Sequence, residues 1–398
     1  MIQYKKKMKK VATDMVINLL GTGISLVILQ LIIYPLVARM ISAEEYGEMQ
    51  SLISVVYLIG GTLGGALSTT RLIREFDYQE NKIRADFNLL STGCILAIVV
   101  VVPVVLNIYT NNTFGSILLT TMVALLNYLV NYLNVGLRLN LDYKAIFVDK
   151  VLTCLGYGIG FFVFSKTLTW QYIFILSALI EILYYIFKTD LLKEPYKKSK
   201  LFPFTIKTFG NLSIANLLTK ALTYFDKLML YPLLGGRAVS IYFAANIFGK
   251  LILQAIEPIT NVILSYLSRT KKLTNSFLKV IIPAIAFICL IMYILCLLIS
   301  KPILMIFYPQ WANEAYELIP LATLSLAISS FIQILYPFTL KVLDTNKQII
   351  INSAGLIVYI FMALILYSRL DLMGCCLALL ISYILKMILI FYFCLRKK

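Results

Sequence analysis

Nine ionisable side chains stand inside stretches that are otherwise apolar: Lys150, Lys220, Lys227, Lys250 and Lys386, with Asp149, Glu181, Asp226 and Glu257. An ionisable group at bilayer depth costs about 2.5–3.5 kcal/mol even on the lenient insertion scale, so it faces a partner or a water-filled cavity. The chemistry on offer is narrow: an ammonium holds an anion, and a carboxylate carries a proton or holds a cation. The chain has no His, which excludes a His-based catalytic triad, a His metal site and a His proton relay. Its seven Cys fall in apolar stretches with no CxxC pair, so they read as small buried hydrophobes. No disulfide framework, metal site or cofactor is expected.

Spacing groups the polar residues. Ser213, Asn216, Lys220, Thr223 and Lys227 follow one another at three or four residues, which lines one face of a helix. Asn246, Lys250, Gln254, Glu257 and Asn261 form a second stripe, and Asn127, Asn131, Asn134 and Arg138 a third; a weaker one runs through Asp14, Asn18, Thr22 and Ser25. At about 1.5 Å per residue, Lys220 lies about 16 Å from one end of its stretch and Lys250 about 15 Å from the far end of the next, both near mid-membrane. Polar stripes carrying two midplane ammonium groups describe an aqueous cavity for an anion. Its candidate lining is Lys220, Lys250, Lys227, Asn216, Asn246, Asn131 and Arg39. Asp226, Glu257 and Glu181 are the carboxylates able to carry a proton or bind Na⁺. The structural alternative pairs each lysine with a carboxylate on another helix, for example Lys250 with Glu181 or Lys220 with Glu257.

The elements that must position these groups follow from composition. Of 398 residues, 60% are hydrophobic and only 14% charged, and the mean hydropathy is +0.87; a soluble domain carries about 25% charged residues. Twelve stretches are long enough to cross a core about 30 Å thick as helices. They lie near 15–40, 48–67, 87–108, 115–137, 146–165, 170–187, 209–233, 240–266, 280–300, 317–340, 349–368 and 373–394. The first is too long for a signal peptide and reads as a span.

Of the 36 Lys and Arg, 26 fall in the tails and alternate connections on one side and 5 on the other. Positive segments stay in the cytoplasm, so both termini are expected there, and the net charge of +17 reads as topology rather than as a nucleic-acid footprint. The Lys-rich connection 188–208 is the longest. It divides the chain into an N-terminal six-helix lobe, 1–195, and a C-terminal six-helix lobe, 196–398. Six spans each allow a parallel repeat with a site between lobes. The run GGTLGG at 60–65 reads mainly as close helix packing.

Three segments carry a family resemblance. Arg39-Met-Ile-Ser-Ala-Glu-Glu-Tyr-Gly47 is similar to the turn after the first span in Wzx-type polysaccharide flippases of the multidrug/oligosaccharidyl-lipid/polysaccharide (MOP) exporter superfamily. Asp226-Lys227, Leu234-Gly-Gly and Tyr242 resemble another stretch of that family, and Ile303 to Ala315 its loop before span ten. The resemblance implies a MATE-like, all-α fold of twelve transmembrane helices in two lobes, set in the bacterial cytoplasmic membrane. It implies a flippase that moves an undecaprenyl-diphosphate-linked oligosaccharide by alternating access for O-antigen or capsule synthesis. The cationic lumen takes the diphosphate, with Arg39 and Lys150 as candidates for a second anchor. Membrane lipid, a polysaccharide polymerase and chain-length machinery are the implied partners. A multidrug or ion antiporter of the same superfamily is the alternative. The short outer loops argue against an enzyme.

Overall fold

The computed structural model describes the backbone of residues 16–110, 113–269, 275–343 and 345–396. Among them there is no strand. They form α1 (Val16–Ala38), α2 (Ala43–Glu80), α3 (Phe87–Tyr109), α4 (Phe114–Leu139), α5 (Tyr143–Thr167), α6 (Gln171–Lys188), α7 (202–234), α8 (236–269), α9 (Asn275–Phe307), α10 (Ala312–Val342), α11 (345–370) and α12 (372–396). Each expected span falls on one of these helices. The joints α7–α8 and α11–α12 are single residues with non-helical backbone, Gly235 (φ 80) and Asp371 (φ 45). Large apolar side chains such as Phe187, Phe114 and Ile108 point outward, 85%, 81% and 81% exposed. Such surfaces are stable against lipid rather than water. The chain is an all-α, multi-pass membrane protein.

Local chemistry sets the ends and bends. Ser42 and Glu45 form a capping box at the start of α2: Ser42 N–H and Oγ donate to Glu45 Oε2 at 2.9 and 2.8 Å, and Glu45 N–H donates to Ser42 Oγ at 3.2 Å. Asp142 Oδ1 caps α5 by accepting Ala145 N–H at 3.0 Å. In α1, Pro35 has no N–H to donate, and the turn before it, Ile28–Ile33, widens to π geometry with Tyr34 N–H on Leu29 O. Helix α2 differs from expectation in length. Its 38 residues run about 57 Å, far beyond the bilayer core. The added turns pair their own charges, Arg71 with Glu75 at 3.3 Å and Arg74 with Asp77 at 2.9 Å.

The chain packs as two compact units. The first comprises the residues up to Ile41 and Ser51–Leu228; the second comprises Ser42–Gln50 and Met229–Lys398. Within the first, α5 and α6 approach closely because Gly156 and Gly160 leave no side chain between the helices: a Cβ on Gly156 would stand 2.4 Å from Ser177 Cα, and one on Gly160 2.5 Å from Ile173 Cα. Within the second, Ile285 and Cys289 of α9 pack on Phe331, Leu335 and Phe338 of α10.

Candidate functional site

In the first unit the two glycine pairs of α2 face different neighbours. A Cβ on Gly60 would lie 2.6 Å from Ala124 O, and one on Gly64 2.6 Å from Tyr128 O and 2.8 Å from Asn131 Cβ, so this face packs on the backbone of α4. One residue further round, a Cβ on Gly61 would lie 2.6 Å from Lys220 Nζ and 3.5 Å from Asn127 Oδ1, and one on Gly65 3.6 Å from Asn216 Nδ2. The expected packing role holds for Gly60 and Gly64. Gly61 and Gly65 also make room for the polar stripe of α7. Asn131 Nδ2 donates to Asn127 O at 2.8 Å and to Asn127 Oδ1 at 3.3 Å, which fixes both amides on α4. The stripes of α4 and α7 therefore meet on α2: an ammonium and three side-chain amides, able to bind an anion and hydroxyl-bearing groups together. Asp226 and Lys227, further along α7, are both buried; Lys227 N–H donates to Asp226 Oδ1 at 2.8 Å.

Asn127 also lines a cavity of about 50 Å³ with Glu181, Tyr57, Tyr157 and Ser177, room for a few water molecules. Glu181 sits in a buried charge cluster. Lys150 Nζ is 3.3 Å from Glu181 Oε2 and 2.9 Å from Asp149 Oδ2. Tyr185 OH donates to Asp149 Oδ2 at 2.8 Å, and Asn134 Nδ2 donates to Tyr185 OH at 3.2 Å. Glu181 thus finds its cation on α5, a pairing that spacing within one helix cannot reveal. It also commits Lys150 to two carboxylates, so that lysine is not placed as a second anion anchor. With all three ionised the cluster carries one net negative charge. One proton or monovalent cation neutralises it.

The remaining candidates lie elsewhere. In the second unit Asn246 is 1% exposed and donates through Nδ2 to Tyr242 O at 2.8 Å. The half-buried Lys250 has Nζ 5.9 Å from the Tyr242 ring centre. The Glu257 and Asn261 side chains lie outside the described residues. Arg39 is exposed at the end of α1, with its backbone N–H on Pro35 O at 3.2 Å. Lys386, in-span but without an assigned role, is buried along α12 with its stem against Gly355 and Nζ 5.9 Å from the Tyr383 ring.

The parts of the three family-like segments that belong to the second unit, Glu44 to Gly47, Gly235 to Tyr242 and the stretch around Tyr308 to Glu314, come together there. Glu44 Oε1 accepts Gly236 N–H at 2.6 Å and Oε2 accepts Arg237 N–H at 2.9 Å, so a side chain from α2 caps the start of α8. The approach requires glycine: a Cβ on Gly47 would stand 1.7 Å from Gly236 O, and Gly235 has φ +80°. Arg237 Nη2 in turn reaches Glu314 Oε1 at 2.8 Å. Tyr46 is fully buried among Phe243, Tyr308 and Trp311, with ring centres 5.8, 6.3 and 5.2 Å away.

Residues 11–271 match the model of a family described as "Polysaccharide biosynthesis protein". The chain belongs to this family. No curated protein matches the chain. Among solved structures it is similar to the lipid II flippase MurJ in an inward closed conformation, at TM-score 0.73 and 16% identity over 96% of this chain and 86% of that one. It also resembles an inward-facing multidrug resistance MATE family transporter of the MOP superfamily, at TM-score 0.67 and 15% identity over 96% and 94% of the two chains. The Vibrio cholerae MATE transporter VcmN in its bent form matches at TM-score 0.61 and 12% identity over 100% and 98%. The likeness to these structures shows that the chain shares their all-helical fold.

Proposed function

We propose that the protein flips an undecaprenyl-diphosphate-linked oligosaccharide from the cytoplasmic to the outer leaflet of the bacterial cytoplasmic membrane, by alternating access of lobes 1–195 and 196–398. The observation that carries this is Lys220 at Gly61. It is a cation at bilayer depth beside Asn127, Asn131 and Asn216, which suits a diphosphate followed by sugar hydroxyls. Lys227 in the first unit, and Lys250 and Asn246 in the second, are further candidates for the same chemistry. The lysine-rich connections support cytoplasmic termini. Synthesis of O-antigen or capsule supplies the use, with a polymerase and chain-length machinery acting downstream.

Glu181, with Asp149 and Lys150, is the coupling site in this scheme: protonation removes the cluster's net charge beside the cavity. Asp226 and Glu257 are further candidates. A MATE-like antiporter exporting cationic drugs is the second reading, favoured by the carboxylate and aromatic rings around the cavity. The engagement of both carboxylates by Lys150 weighs against it. The test is deletion of the gene and complementation with wild type, Lys220→Ala or Lys220→Arg. The reading expects lipid-linked oligosaccharide to accumulate on the cytoplasmic leaflet in the deletion and Ala strains. Cationic-dye efflux without such accumulation would support the antiporter.

A further inference from the structure

The connection between α6 and α7 is fastened along its length. Arg71 Nη1 and Nη2 donate to the two carboxylate oxygens of Glu194 at 2.6 and 2.5 Å. Asn88 Nδ2 donates to Leu192 O at 3.3 Å and to Glu194 O at 2.7 Å, and Asp86 N–H donates to Lys197 O at 3.0 Å. Ser199 N–H donates to Asp86 Oδ1 at 2.6 Å, and its hydroxyl bonds Asp86 Oδ2. Asp86 is fully buried and also accepts Tyr78 OH at 2.6 Å. Between and beyond these fastenings Lys197, Lys198 and Lys200 are exposed, and Tyr196 is 62% exposed. The two acidic residues of this connection are already paired, Asp190 with Lys193 at 2.7 Å and Glu194 with Arg71, so neither offsets the positive charges of Lys197, Lys198 and Lys200.

We propose that this fastened strip docks the phosphate headgroups of anionic phospholipids, with Lys197, Lys198 and Lys200 contacting the phosphates and Tyr196 at headgroup level. A strip already held in place loses little backbone freedom on binding, unlike a loose basic loop. The proposal rests on the cytoplasmic placement of this connection.

The full-length protein is exchanged between phosphatidylglycerol and phosphatidylcholine in nanodiscs, and the relative affinity is read from lipids retained in native mass spectrometry. Preference for phosphatidylglycerol is expected to fall about fivefold for each lysine removed in the triple variant Lys197→Gln, Lys198→Gln, Lys200→Gln. It is expected to persist when the same three are changed to Arg. Asn88→Ala keeps the charges but frees the backbone, and it is expected to lose part of the preference. An unchanged preference in the triple Gln variant overturns the proposal; an unchanged preference in Asn88→Ala overturns the role of the fastening. Labelling of Tyr196→Cys by an impermeant maleimide, in inverted vesicles against whole cells, tests the topology separately.

Discussion

Lys220 fills the space that a side chain at Gly61 would need, its Nζ 2.6 Å from where that Cβ would stand. Three residues on and about 60° round the same helix, a Cβ on Gly64 would instead meet the backbone of α4 at Tyr128 O, 2.6 Å away. The two glycines therefore separate chemistry from packing within one turn of α2.

Gly61→Ala and Gly64→Ala have opposite signatures. A lysine tip can swing aside, so Gly61→Ala is expected to lower transport while leaving the thermal midpoint near wild type. A backbone carbonyl cannot yield without moving α4, so Gly64→Ala incurs overpacking of about 1–3 kcal/mol and lowers the midpoint. Thermal unfolding of the purified variants beside the transport assay checks both.

Lys150 holds two buried carboxylates. Lys150→Met leaves them without a cation and is expected to destabilise the first unit by about 3–5 kcal/mol. Adding Glu181→Gln and Asp149→Asn removes the charge and restores much of the loss. In proteoliposomes Glu181→Gln alone is expected to make transport insensitive to an imposed proton gradient. Transport that still follows the gradient in this variant removes Glu181 from the coupling scheme.

Glu44 satisfies two amides at the head of α8. Glu44→Ala deprives both of their acceptor, at about 1–3 kcal/mol, while Glu44→Gln keeps one amide oxygen to share. Hydrogen exchange at Gly236 and Arg237 is expected to rise most in the Ala variant and to an intermediate degree in the Gln variant. Equal protection in all three proteins would contradict the cap.

The Arg71–Glu194 pair is bidentate and nearly buried, its side chains 9% and 10% exposed. Arg71→Met alone leaves a buried carboxylate and is expected to cost about 3–5 kcal/mol. With Glu194→Leu added, most of the lost stability is recovered. A double-mutant cycle in thermal unfolding measures the coupling; additive losses would show that the pair contributes no coupling of its own.

The twelve spans were legible because lipid exposure demands long apolar runs, and the connections announce themselves by charge. The far turns of α2 were not, because Arg71 with Glu75 and Arg74 with Asp77 build a helix from residues that no hydropathy scan counts. The stripes through Asn131, Asn216 and Lys220 were visible as 3.6-residue periodicity. Their meeting at GGTLGG depends on which helices pack together, and one helix's periodicity is silent on that. The same holds for Glu181 and Lys150, whose register is set by Gly156 and Gly160 against α6. Glu44, Gly236 and Glu314 were legible only as a family-like fingerprint. The bonds that join them, Glu44 to Gly236 and Arg237 to Glu314, span 192 and 77 residues and have no local signal.

The most direct test of the central claim is the transbilayer movement of a lipid-linked oligosaccharide in proteoliposomes containing wild type, Lys220→Ala or Lys220→Arg, with insertion and thermal midpoint matched. The account predicts loss of movement in the Ala variant and recovery in the Arg variant. Wild-type movement in Lys220→Ala would contradict it.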